Sequence, residues 1–255
     1  MATEIVSSDV VGYNSNNLTT GKNKLTMVGG SFAGIGTEGF QLNGNITVKN
    51  IKGGSDSGDS DTLLMWDPTK AGGAGGYNTF YYYDDGTDAG WCDLATDDYV
   101  ENTPAYANGF PAGSAFWFQA IDGATKDITF SGAVEDADYV EPPLSSGKQL
   151  SMVANAYPTQ LQLNSTAMVE FTGLKGGSDS GDSDTLLVWD PTKAGGAGGY
   201  NTFYYYDDGT DTGWCDLATD DYVEVTYPNG FAVGTAFWFN PINAAAKNIK
   251  FIKSF

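Results

Sequence analysis

The sequence predicts an all-β protein, built as two tandem antiparallel β-sandwich-like domains of jelly-roll or Ig-like type from an internal duplication. Residues 52–101 recur as residues 175–224, and only Met65/Val188 and Ala89/Thr212 differ across the pair. Short apolar or alternating runs, broken by Gly-, Asp- and Asn-rich clusters, carry no 3.6-residue period. The chain is also rich in aromatic residues (14%) and in glycine (34 residues), a composition suited to pleated sheet joined by tight turns.

In the first copy the expected strands are residues 24–28, 46–51, 63–66, 77–83, 90–94, 114–119 and 127–131. Phe80-Tyr-Tyr-Tyr83, the acidic turn Asp84 to Asp88 and Trp91 read as one hairpin, with Gly86 supplying a positive φ. The run Ala71-Gly-Gly-Ala-Gly-Gly76 is too glycine-rich for a strand interior and reads as a loop packed close to neighbouring backbone. Seven short strands at this spacing suggest a sandwich or barrel. Weaker similarity extends the repeat: Leu25 to Val28 answers Leu150 to Val153, and Phe116-Trp-Phe118 answers Phe237-Trp-Phe239. The expected units are residues 1–133 and 144–255, joined by a stiff linker at 134–143 that carries Pro142 and Pro143.

Composition removes several functions. There are 32 acidic residues against 12 basic ones, all of the latter Lys, and the formal net charge is -20. Coulomb repulsion opposes nucleic acid and anionic membrane surfaces, and no apolar run is long enough to span a bilayer, so neither nucleic acid nor membrane insertion is expected. With no Arg and no His, bidentate phosphate recognition and imidazole acid–base chemistry are both missing. Carboxylate pairs abound among 25 Asp residues, which robs any one pair of specificity for glycoside chemistry. No Gly-x-Ser-x-Gly elbow and no Walker-type Gly-Lys-Ser/Thr ending occurs, so the chain is not expected to be an enzyme.

Three groups of residues carry the functional expectations. The loop Gly53-Gly-Ser-Asp-Ser-Gly-Asp-Ser-Asp61 and its copy at 176–184 offer Asp56, Asp59, Asp61, Asp179, Asp182 and Asp184, hard oxygen ligands of the kind Ca²⁺ takes. The spacing fails the EF-hand pattern, and a solvated acidic loop competes with the Ca²⁺ reading. Within the aromatic set of Trp66, Tyr77, Phe80 to Tyr83, Trp91 and Tyr99 and its copy, Tyr81, Tyr83, Trp91, Tyr204, Tyr206 and Trp214 are candidate interface or ligand-stacking rings, because neighbours along a strand face opposite sides and cannot all enter one core. Lys247, Lys250, Phe251 and Lys253 form a cationic terminal strand that could dock on another copy, or simply an edge protected by lysines. Cys92 and Cys215 occupy equivalent places in the repeats and read as free, inert thiols, with a bridge between units or between molecules as the alternatives.

The opening Glu4-Ile-Val-Ser-Ser-Asp-Val-Val-Gly-Tyr13, with Gly-Gly-Tyr-Asn-Thr-Phe-Tyr-Tyr-Tyr and Gly-x-Ala-Phe-Trp-Phe, resembles a loose group of uncharacterised secreted β-rich bacterial repeat proteins. The resemblance implies an extracellular or cell-surface protein and brings no catalytic residues with it. The first residues lack a secretory signature of their own, as expected if Met1 replaces a cleaved signal. The functional expectation is therefore an extracellular structural protein, a self-assembling subunit of a filament or surface layer. The alternative is a Ca²⁺-dependent glycan-binding module with two equivalent sites.

Overall fold

A computed structural model describes residues 11–18, 21–22, 24–34, 39–142 and 144–255. Residues 4–10 of the opening motif lie outside them. The chain is all-β with antiparallel sheets, and all seven strands expected in the first copy are present. In order they are β1 (Val11–Asn17), β2 (Leu25–Gly29), β3 (Ile46–Val48), β4 (Thr62–Asp67), β5 (Gly76–Asp84), β6 (Ala89–Asp93), β7 (Asp98–Tyr99), β8 (Ala115–Gln119) and β9 (Asp127–Ala133). The second half continues with β10 (Tyr139–Val140), β11 (Ser151–Ala154), β12 (Val169–Thr172), β13 (Thr185–Asp190), β14 (Gly199–Asp207), β15 (Thr212–Asp216), β16 (Ala236–Asn240) and β17 (Asn248–Ile252).

These strands make four sheets. The first copy supplies a small sheet, β1-β9-β3, and a large one, β2-β8-β4-β5-β6-β7; the second supplies the large β11-β16-β13-β14-β15 and the small β10-β17-β12. Strand alternation places Leu63, Phe80, Phe116 and Phe118 of the first large sheet against Ile46, Val48, Ile128 and Phe130 of its small sheet. Leu186, Phe203, Phe237 and Phe239 meet Val169, Ile249 and Phe251 in the same way in the second half.

The expectation of two tandem jelly-roll or Ig-like sandwiches is corrected here. The four sheets stand in a propeller-like, four-bladed arrangement. The reason is that both large sheets are apolar on both faces. Leu25, Met27, Leu64, Trp66, Ala115 and Trp117 point away from the first core and pack on Leu150, Met152, Leu187, Trp189, Ala236 and Trp238 from the second. Each leucine or methionine among them, once fully covered, contributes on the order of 1.5–3 kcal/mol, so leaving these faces wet would forfeit much of the fold's stability.

The stretch read as a linker is also built in. Tyr139–Val140 adds to β17 as an edge strand, and Val134 touches both cores.

Candidate functional site

The contact between the large sheets has approximate two-fold symmetry. The indole N–H of Trp66 donates to the carbonyl of Leu150 at 2.9 Å, and its repeat equivalent Trp189 donates to that of Leu25 at 3.1 Å. Trp66 meets Trp238 edge-on with centroids 5.4 Å apart, and Trp117 meets Trp189 at 5.1 Å. The backbone N–H of Gly29 donates to Gly234, as that of Ala154 does to Gly113. The glycine run joins in from the side: Gln149 donates to the Gly73 carbonyl at 2.8 Å, and Lys24 donates to the carbonyl of Gly196. Gly75, at φ +87°, lies under the Trp66 ring, where a Cβ would come within 2.0 Å of Cζ2; Gly198 does the same beneath Trp189. Glycine is required there by both the backbone and the ring.

Beyond this contact, β5 to β7 carry a second outward surface. Phe80, Tyr82 and Trp91 face the core, so Tyr81, Tyr83, Cys92 and Tyr99 face the other way. Tyr81 is nonetheless buried, its hydroxyl donating to Asp97, and Tyr204 donates to Asp220 at 2.9 Å in the second copy. Tyr83 donates to Asp85 at 2.9 Å, and Tyr206 to Asp208 at 2.8 Å. The Asp85 carboxylate also accepts from the backbone N–H of Thr87 and Asp88 and the Thr87 hydroxyl. Those bonds hold Asp85 well below the usual carboxylate range, with the Asp88 N–H acting most strongly. The hydrogen bond to Asp85 in turn raises Tyr83. The result is a half-exposed surface of phenols clamped to ionised carboxylates, presented twice.

Sequence reading grouped the six rings, and the structure separates them. Trp91 and Trp214 are core residues and Tyr81 and Tyr204 are buried, so of the set only Tyr83 and Tyr206 remain half-exposed for a partner. Of the rings that form the contact between the halves, Trp66 and its copy Trp189 belong to the aromatic set expected at an interface, whereas Trp117 and Trp238 do not. The available signal was parity: Leu63-Leu-Met-Trp66 and Ala115-Phe-Trp-Phe118 are apolar at odd and even positions alike, which demands cover on both faces.

The acidic loops are divided too. Asp61 is fully buried and takes a salt bridge from Lys126 at 2.9 Å, while accepting from the N–H of Lys52 and of Ile121. Asp184 repeats this with Lys247 at 3.1 Å, Lys175 and Ile242. Asp56 and Asp59 stay in the loop, with the Asp56 carboxylate bonded to the Gly58 N–H and that of Asp59 to the Asp56 N–H; Asp179 and Asp182 match them. Among the described residues no group of three or more His, Cys, Asp or Glu side chains converges as a metal cage would.

The strand of Lys247, Lys250, Phe251 and Lys253 is corrected as well. Its core, β17, is the middle strand of its sheet, flanked by β10 and β12, so it offers no edge for strand addition. Lys247 and Phe251 are directed inward, Lys250 pairs with Glu170 and Lys253 with Asp136. Cys92 and Cys215 are buried free thiols.

One cavity, of about 340 Å³, opens beside the contact between the halves. Met65, Trp66, Tyr106, Phe110, Met152 and Val153 line it, and none of the described residues around it carries a charge. The chain matches no protein-family model, no curated protein and no solved structure.

Proposed function

We propose that this is an extracellular structural connector, a subunit that joins copies of itself through the two tyrosine–carboxylate surfaces around Tyr83 and Tyr206. The observation that supports this reading is valency. The two halves are clamped to one another by the Trp66 and Trp189 contacts, so the body offers the same surface twice in a fixed relation. Two equal adhesive surfaces on a rigid body propagate a chain, whereas one would stop at a dimer. Rigid phenol rings lose little entropy when they are covered.

Net charge acts against association, so assembly is expected to strengthen as salt rises and as pH approaches the sequence pI of about 4.1. The test is light scattering with electron microscopy across salt and pH. Wild type should form extended particles. Tyr83→Ala alone should stop growth at small oligomers, and Tyr83→Ala with Tyr206→Ala should remain monomeric. A monodisperse wild-type monomer under every condition would sink the reading. Binding of a hydroxyl-rich glycan that the double variant loses would transfer these surfaces to the glycan-binding alternative.

A further inference from the structure

Residues 29 and 154 hold the same place in the two repeats, yet one is Gly and the other Ala. In the fold they oppose each other directly: a Cβ built on Gly29 would lie 2.2 Å from the Cβ of Ala154. A residue meets its own repeat equivalent only at a two-fold axis, so this pair marks the axis of the contact between the large sheets. Both backbones are tied there by reciprocal bonds, Gly29 N–H to Gly234 and Ala154 N–H to Gly113, which leaves little freedom to slide. Ala154 is completely buried.

We infer that Gly29 and Ala154 form a steric key that makes this surface heterotypic: a first-half sheet accepts a second-half sheet, and a second-half sheet refuses another of its own kind. The apolar contact residues do not discriminate, and the one polar pair that differs at the side, Lys24 and its equivalent Gln149, makes the same bond to the glycine run of the other half. Trp66/Trp189, Trp117/Trp238, Leu25/Leu150, Met27/Met152 and Leu64/Leu187 are identical between the halves, so on apolar burial alone any pairing would do. At the axis the three pairings differ. Gly against Ala is the observed fit. Ala against Ala would place two methyl groups at about the 2.2 Å found for a Cβ on Gly29, a separation that packed carbons do not tolerate. Gly against Gly would leave a gap where the buried methyl now sits. The partner this surface takes is thus the complementary half, from its own chain or, after exchange, from a second copy, and chains joined through it run in one direction.

The experiment uses the full chain. Gly29 does not have the left-handed backbone that would penalise alanine, so Gly29→Ala acts chiefly through the 2.2 Å overlap with Ala154, with the Gly234 carbonyl oxygen at 3.3 Å as a lesser contact. It should part the halves, shifting tryptophan emission to the red as Trp66 and Trp189 meet water and lowering the thermal midpoint. Gly29→Ala combined with Ala154→Gly should restore both readouts. In that pair the new Cβ would have the Gly234 carbonyl oxygen at 3.3 Å and the Cα of residue 154 at 3.6 Å as its nearest neighbours. The double variant also answers the case in which Gly29→Ala alone does not fold. Ala154→Gly alone removes the refusal, and after refolding at high protein concentration it should give a larger dimer fraction than wild type by sedimentation. The inference is overturned by unchanged emission and midpoint in Gly29→Ala, by a double variant no better than the single one, or by equal dimer fractions.

Discussion

Lys126 holds its ammonium 2.9 Å from the carboxylate of Asp61, with both side chains out of water. The same lysine reaches the Asn50 carbonyl at 2.7 Å and Asp122 at 3.1 Å, so its three N–H donors have three partners. Lys247 and Asp184 repeat the arrangement with the Gly173 carbonyl and Asn243. In each half the pair ties the end of the acidic loop to the loop that precedes the last long strand.

Removing one member leaves the other charge buried and unpaired, which costs about 3–5 kcal/mol in such sites. Lys126→Met and Lys247→Met should each lower unfolding free energy in urea by an amount of that order. A loss smaller than that of an ordinary surface substitution would show that these pairs do not anchor the loops.

Gly75→Ala and Gly198→Ala should each destabilise the chain by about 2 kcal/mol or more, because the methyl group meets the Trp66 or Trp189 ring and the backbone is left-handed. The conservative probe is Trp66→Phe, which keeps an aromatic ring but removes the indole bond to the Leu150 carbonyl and leaves that carbonyl only the Ser145 hydroxyl, at about 1 kcal/mol. Thermal unfolding monitored by tryptophan emission reads both. Glycine variants as stable as wild type would mean that the loop and ring separate freely.

Burial pushes the thiols of Cys92 and Cys215 up to about 11 from an ordinary value of 9.0, and nearby carboxylates, led by Asp97 and Asp220, add to it. The folded state holds these protons more tightly than the unfolded state does. Their contribution to stability is therefore complete below pH 9 and is lost as pH rises toward 11. Tyr106 and Tyr157, raised by burial to about 12, extend the loss to higher pH. The urea midpoint should fall across pH 9 to 11, and Cys92→Ala with Cys215→Ala should flatten that fall. Native protein at pH 8 should also release no thiol to a disulfide reagent, whereas unfolded protein should release two. Rapid native reaction would contradict the buried placement.

Millimolar Ca²⁺, the range in which extracellular modules bind it, should leave the thermal midpoint unchanged. Both oxygens of Asp61 already serve Lys52, Ile121 and Lys126, and an ion bound there would have to displace the lysine. A rise in midpoint that a chelator reverses would show that Asp56 and Asp59 recruit other ligands.

Much of the local structure was legible. The hairpin at Phe80 to Trp91 follows from aromatic alternation flanking an acidic turn, and β5 and β6 pair as expected, with Tyr82 opposite Trp91. The glycine run was expected to pack close to neighbouring backbone; what Gly75 approaches is instead the Trp66 ring, and Gly72 faces open space. The candidate sites were less legible. Asp61 shares a nine-residue run with Asp56 and Asp59, but its partner Lys126 lies far along the chain, and nothing in the run indicates which carboxylate turns inward. The C-terminal lysines resembled an edge because charge on a strand usually means exposure. Lys247 instead neutralises Asp184 inside the fold.

The sequence by itself determined that this protein is a duplicated β-chain and where most of its strands lie, because repeats, turn residues and alternation are properties of neighbouring positions. Alternation also shows that Tyr81 and Tyr82 face opposite sides. Only the tertiary structure decided what lies on each side: that the apolar outer faces of the large sheets cover one another, that Trp66 finds Leu150 and Trp189 finds Leu25, and that Gly29 meets Ala154. Those contacts join residues far apart in the chain, and their selection rests on burying apolar area without overlap between two nearly identical surfaces. At the axis a single methyl group distinguishes them, and its effect exists only once the two halves are in contact.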